Sequence, residues 1–177
     1  MLTVGDPFPS YELTAVVSSD PATAYVTVRS SDHAGQWRVV FFWPLDFTAV
    51  CPTEIATFGE HHDEFDSRDT MVLGVSTDSE YAHRAWRQEQ PSLRNLPFPM
   101  ASDMRRDLSS ACGVLADDGT AHRATFLVDP DNAIQFVMVT NGDTGRNVAE
   151  VLRVLDALQT GEMTPCGWAP GDQTLGT

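Results

Sequence analysis

Three cysteines, Cys51, Cys112 and Cys166, lie far apart in a chain of 177 residues. Odd in number and widely separated, they do not read as the disulfide framework of a small secreted protein. Cys51 is the one whose surroundings could do chemistry. It is followed by Pro52 and by a pattern in which Ile55, Phe58, His62 and Phe65 recur at helical spacing, with Glu54, Glu60, Asp63 and Glu64 polar around them. Proline suits the first turn of a helix, so the sulfur is expected at a helix N-terminus. Free N–H groups and the positive end of the helix dipole favour an anion there, and should lower the thiol pKa below its ordinary value of about 8.5. The gain is limited. A fall to about 6 raises the thiolate fraction at neutral pH roughly 30-fold. The accompanying loss of nucleophilicity, with a Brønsted slope of about 0.4–0.5, takes back roughly 10- to 20-fold. Other groups must therefore stabilise the transition state, and the sequence offers the hydroxyl of Thr48 and an arginine from elsewhere.

The elements that would position this sulfur follow from the apolar pattern. Val39-Val40-Phe41-Phe42-Trp43 is unbroken and reads as a strand buried on both faces, central in a mostly parallel sheet. Pro44 ends it, because proline cannot donate to a ladder and restricts the residue before it. Cys51 is thus expected at the carboxyl end of a central strand, where an open α/β sheet holds its chemistry. Upstream, residues 17–23 read as a loop and 24–29 as a strand. Met71 to Ser76 is a second buried strand, and Ser79 is a cap for a helix whose inner face carries Tyr81, Ala82, Ala85 and Trp86. Leu96-Pro97-Phe98-Pro99 is a loop, Met104 to Cys112 a short helix closed by Gly113. Strands over 125–128 and 133–139 flank the turn Asp129-Pro130-Asp131-Asn132 as a hairpin. Val148, Val151, Leu152, Leu155 and Leu158 share one face of a last helix.

Bulk composition narrows the function classes. A formal net charge of −14 argues against nucleic acid or an anionic membrane as partner, since both need basic patches. No apolar run approaches the roughly 18 residues of a bilayer span, and no basic segment precedes an apolar one at the N-terminus. With no linker or repeat, residues 1–177 are expected to form a single domain, with 163–177 a mobile, polar tail. Cytoplasmic thiol chemistry is the expectation.

Pro44-x-x-x-Thr48-x-x-Cys51 resembles the active-site signature of the peroxiredoxins, thiol peroxidases that reduce hydrogen peroxide and alkyl hydroperoxides. The string from Phe42 to Glu54 is similar to the typical 2-Cys branch, of bacterial alkyl hydroperoxide reductase C type. The likeness extends from Val4-Gly5-Asp6-Pro7-Phe8-Pro9 through Arg123-Ala124-Thr125-Phe126 to Gly145-Arg146-Asn147 and Gly167-Trp168. It implies an α/β, thioredoxin-like fold with a central mixed sheet flanked by helices. It also implies roles: Thr48 would hold the peroxide oxygen, Pro44 would shield the site, and Arg123 would partner the thiolate. Arg146 would pair with Glu54 and orient the first arginine, and Trp86 is expected as packing near the site. The resolving cysteine of the resemblance falls on Thr164 in Glu162-Met163-Thr164-Pro165-Cys166; Cys166, two residues on, matches a second cysteine of some bacterial members and is the choice for resolution. Cys112 and an external thiol are the alternatives. The partners implied are a hydroperoxide, an external reductant of thioredoxin, AhpD or flavoprotein type, and a homodimer that assembles into a ring of ten or twelve subunits. With no Gly-Gly-Leu-Gly insert near Leu96 and no Tyr-Phe helix after Leu175, resistance to overoxidation is expected.

Bland readings compete with these. A free cysteine is often a buried small hydrophobe, and an isolated arginine is usually a surface charge. His61-His62-Asp63 invites a metal, but adjacent helical histidines point apart, so neither metal nor cofactor is expected. Glu54 stands where the second cysteine of a C-x-x-C pair would fall, which disfavours a thiol transferase. A thioredoxin-like chaperone or binding assembly without turnover is the remaining rival.

Overall fold

The computed structural model describes residues 1–177. Its elements run β1 Glu12–Val16, β2 Tyr25–Arg29, β3 Trp37–Phe42, α1 Cys51–Glu60, α2 His62–Asp66, β4 Thr70–Ser76, α3 Glu80–Glu89, β5 Met100–Ser102, α4 Asp107–Ala111, β6 Arg123–Val128, β7 Ile134–Thr140 and α5 Val148–Gln159. By its internal contacts the chain divides into two compact units, Met1–Arg146 and Asn147–Thr177.

In the larger unit the seven strands form one mixed sheet in the order β2-β1-β5-β4-β3-β6-β7. β3 pairs parallel with β4 and antiparallel with β6, so it is interior as the apolar run implies, but the sheet is not mostly parallel: only β3–β4 and β4–β5 are parallel pairs. Its side chains alternate. Val40 and Phe42 join Leu73, Val75 and Phe126 in one core cluster. Phe41 points the other way, stacked on Phe58 of α1 at 4.1 Å and edge-on to Phe98. Each such side chain removed from water contributes roughly 1.5–3 kcal/mol, which is why one strand buried on both faces anchors the unit. Gly74 of β4 lies opposite Phe41 in the register. A Cβ there would stand 2.9 Å from both Phe41 Cζ and Trp43 Cζ3, so the aromatic layer requires a glycine.

The register also brings chemistry together. Because β4 is parallel to β3 and β6 antiparallel, the end of β3, the end of β4 and the start of β6 meet at one edge of the sheet. Trp43 N donates to Val75 O at 3.1 Å, continuing the β3–β4 ladder into the loop before α1.

Several expectations need correction. The buried face of α3 is His83, Trp86 and Arg87; Tyr81 is 67 % exposed and Ala85 is also exposed. Arg87 reads as polar, yet its guanidinium is buried because it donates to the carbonyls of Val16, Val17, Leu96 and Phe98. Ser79 does cap this helix, accepting from Ala82 N at 3.2 Å. The pattern through Phe65 is two helices, not one, since the chain leaves helical geometry at His61. β1 and the three-residue β5 extend the sheet on one side, and α4 begins at Asp107 instead of Met104.

In the C-terminal unit Asn147 caps α5 by accepting from Glu150 N. Val148, Val151, Leu152 and Leu155 are buried. Beyond it, Leu175 N donates to Met163 O and Met163 N to Gly176 O, so the last residues turn back on themselves. Arg153 of α5 donates to Trp168 O at 2.8 Å.

Gly74→Ala is expected to lower unfolding free energy by about 1–3 kcal/mol, the usual cost of overpacking a close-packed core. Chemical denaturation reads this directly, and an unchanged midpoint would mean that both rings give way freely.

Candidate active site

Cys51 is the first residue of α1 and is only 1 % exposed. Val50 precedes it without a side-chain cap, and Pro52 occupies the first turn, where its missing N–H leaves no donor unsatisfied. Both terminal nitrogens of Arg123 lie 3.6 Å from its sulfur. Arg123 arrives there because it opens β6 next to the end of β3, and its side chain is 2 % exposed. Nη1 also donates to Glu54 Oε2, and Nη2 to the Gly142 carbonyl at 2.6 Å. The guanidinium is thereby held by one acceptor on each terminal nitrogen.

Glu54 is one helical turn after Cys51 and equally buried. Its other oxygen, Oε1, accepts from Arg146 N at 2.7 Å and Arg146 Nε at 3.0 Å. Arg146 reaches further, donating to Ala124 O, Thr125 Oγ1 and Phe42 O. Its guanidinium carbon sits 5.2 Å from the Phe41 ring centroid and 5.9 Å from that of Phe58. One arginine thus ties the end of β3 and the start of β6 to α1. Burial pulls the Arg146 pKa below its ordinary value, with Glu54 opposing that shift. Of the two cations only Arg123 meets the sulfur; Arg146 is joined to Arg123 through Glu54.

The sequence-predicted residues Cys51, Glu54, Arg123 and Arg146 are brought together. Thr48 is exposed, and its hydroxyl donates to Leu45 O at 2.9 Å, within its own loop. Pro44 is half-buried where β3 gives way to that loop. Trp86 is buried on α3, with its ring 5.9 Å from that of Phe47. Cys112 is buried in the core, and burial pushes its thiol up to about 12, which keeps it protonated and unreactive at neutral pH. Cys166 lies in the C-terminal unit, exposed, in a surface hollow with Arg153, Leu158 and Thr164. All three thiols are free. His61 bonds Glu64 through Nδ1.

Sequence reasoning missed two contributors. The Gly142 carbonyl carries no side-chain signal. The second is a buried network in the loop before α1, in which Asp46 joins Trp43 to His83; Asp46 looks like an ordinary loop carboxylate until the structure brings His83 to it.

The AhpC/TSA family model matches residues 4–137. The chain belongs to the AhpC/TSA family. Alkyl hydroperoxide reductase C of Mycolicibacterium smegmatis is 55 % identical, the match covering 99 % of this chain and 94 % of that protein. The solved Mycobacterium tuberculosis AhpC superposes with a TM-score of 0.88 at 55 % identity, covering 95 % of this chain and 99 % of the other. A reduced 2-Cys peroxiredoxin of Plasmodium vivax gives 0.91 at 32 % identity, over 98 % and 93 % of the two chains. These likenesses establish the thioredoxin-like α/β fold. Membership of the AhpC/TSA family makes the protein an oxidoreductase, a thiol-dependent peroxidase. No helix is long and apolar enough to cross a membrane.

Glu54→Gln removes the only carboxylate bridging the two buried guanidinium groups. The expected loss is about 3–5 kcal/mol of stability, as for breaking a buried ion pair from one side. Urea unfolding of the reduced protein measures it; a loss below 1 kcal/mol would mean that water or another acceptor replaces the carboxylate at once.

Proposed function

We propose that Cys51 is the residue that reacts with hydroperoxide, through a sulfenic acid formed at its sulfur. The observation supporting this reading is a thiol at the first residue of a helix, out of solvent, with two guanidinium nitrogens at 3.6 Å. The Cys51 thiolate attacks one peroxide oxygen and the O–O bond breaks. Its electron pair leaves on the other oxygen, which takes a proton and departs as water or an alcohol. Arg123 stabilises the developing charge as a preorganised donor pair. Thr48 is the second group assigned to hold the peroxide, and Pro44 limits water in the pocket. Glu54 and Arg146 keep Arg123 aimed, and Trp86 packs behind the loop.

Cys166 is assigned resolution. Its thiol attacks the sulfenic sulfur, a disulfide forms and water leaves, which forestalls irreversible oxidation. Two sulfurs must then approach to about 2 Å, so the first turn of α1 has to unwind and residues 163–177 have to move. An external dithiol of thioredoxin, AhpD or flavoprotein type reopens the bond. A homodimer, built into a ring, and a reducing cytoplasmic setting complete the proposal; three free thiols are consistent with it.

Cys51→Ser is expected to reduce dithiol-dependent hydroperoxide consumption to the uncatalysed background, and undiminished turnover would refute the assignment. Arg123→Met should lower the rate constant for peroxide about 10²- to 10³-fold, the effect typical of removing a preorganised donor. After one equivalent of peroxide, non-reducing electrophoresis should show a cross-linked dimer that Cys166→Ser lacks; a dimer band persisting in that variant moves resolution to another thiol.

A further inference from the structure

The loop between β3 and α1 carries Pro44 and Thr48 and leads directly into Cys51, yet its own backbone resists its shape. Phe47 sits at φ +58°, a left-handed conformation that costs a bulky residue on the order of 1–3 kcal/mol and persists only when the surroundings impose it. Phe47 is also 53 % exposed, so its own burial supplies little of the restraint.

The restraint is Asp46. Oδ1 accepts from Trp43 Nε1 at 2.8 Å, and Oδ2 pairs with His83 Nδ1 at 2.7 Å. The other His83 nitrogen, Nε2, lies 3.2 Å from the Ala101 carbonyl on β5. Asp46 N donates to Asp78 Oδ2, which also accepts from Ser76 Oγ at the end of β4. His83 is fully buried and Asp46 nearly so. Burial, and next the neighbouring Asp46 carboxylate, hold the Asp78 carboxyl above its ordinary range. The loop is thus fastened to α3, β4 and β5 through one residue, and Trp86, three positions after His83, braces Phe47 from the same helix. Hydrogen bonds to a charged, desolvated group are the strong kind, so this junction can hold a strained loop where a neutral one would not.

We propose that Trp43, Asp46 and His83 form a latch whose strength sets how often Cys51 opens out of the folded pocket. They are positioning residues, touching neither sulfur nor peroxide. The proposal rests on Cys51 being the reacting thiol. With the latch closed, Thr48 and the first turn of α1 stay in reacting geometry. With it broken, the loop relaxes and Cys51, otherwise 1 % exposed, spends more time accessible to a second thiol.

The test uses the whole reduced protein and iodoacetamide, with labelled sites identified by peptide mass spectrometry. In His83→Leu, alkylation of Cys51 should accelerate about tenfold or more, the effect of losing a buried hydrogen bond to a charged group. Its second-order reaction with hydrogen peroxide should slow far less, only by the fall in the closed fraction, since a shift that multiplies a minor open state removes little from the closed one. Cys112, buried in the core, should stay unlabelled in both proteins. His83→Asn, whose amide can still donate to Asp46, should recover most of both changes. Unchanged Cys51 labelling in a folded His83→Leu overturns the latch, and so does parallel labelling of Cys112, which would mean that the whole unit loosens. If His83→Leu does not fold, Trp43→Phe, which deletes one donor and keeps most of the ring, is judged by the same criteria. Faster Cys51 labelling in a protein that never reacts with peroxide would support the latch and refute the assignment of Cys51 instead.

Discussion

A buried cation is tolerated only when something nearby answers its charge, and this protein buries two of them side by side. Arg123 and Arg146 share one carboxylate, Glu54. That leaves one positive charge over in a region that water does not reach, where the desolvation of ions is most costly. The Cys51 sulfur lies 3.6 Å from both terminal nitrogens of Arg123, so the residues that pack the charge cluster are also the ones that position the thiol. Other donors of the two guanidinium groups reach Gly142 O, Phe42 O, Ala124 O and Thr125 Oγ1, acceptors on strand ends and a loop that the sheet must already have put in place.

The sheet does this by mixing directions. With β6 antiparallel to β3, a residue that opens β6 lies beside one that follows β3, although about seventy positions separate them in sequence. With β4 parallel to β3, Ser76 and Asp78 come to the same edge and fasten the loop through Asp46. A wholly parallel sheet would carry the start of β6 to the opposite edge. Aromatic packing fixes the distances: Phe41 stacks on Phe58 and both rings face Arg146, so core and charge cluster share a wall.

How much of this was legible depended on whether the determining contacts are local. The buried run Val39–Trp43, the proline after Cys51 and the cap at Ser79 each declare themselves within a few residues: β3 covers most of the run, and α1 and α3 begin where they were expected. The inner face of α3 does not follow from residue type because His83 and Arg87 are polar by type and buried by circumstance: one meets Asp46, the other four carbonyls, all beyond the reach of a helical period. β5 is too short to show a period. Arg123 was singled out only by resemblance to a family, since an arginine at the start of a strand carries no signal of its own. The latch was invisible for the same reason. Whether residues 163–177 move was a matter of composition alone, and composition says nothing of a turn in which Met163 meets Leu175 and Gly176.

The acceptor on the far side of Arg123 is a main-chain oxygen, that of Gly142, in an exposed stretch from Asn141 to Gly145. A peptide carbonyl is present whatever side chain the residue bears. Position 142 itself can therefore carry other residues, a Cβ there meeting nothing within 4 Å, while the guanidinium keeps its aim. A change in the length or path of the stretch, which Asn141 shapes by accepting from Asp143 N, would reach the sulfur.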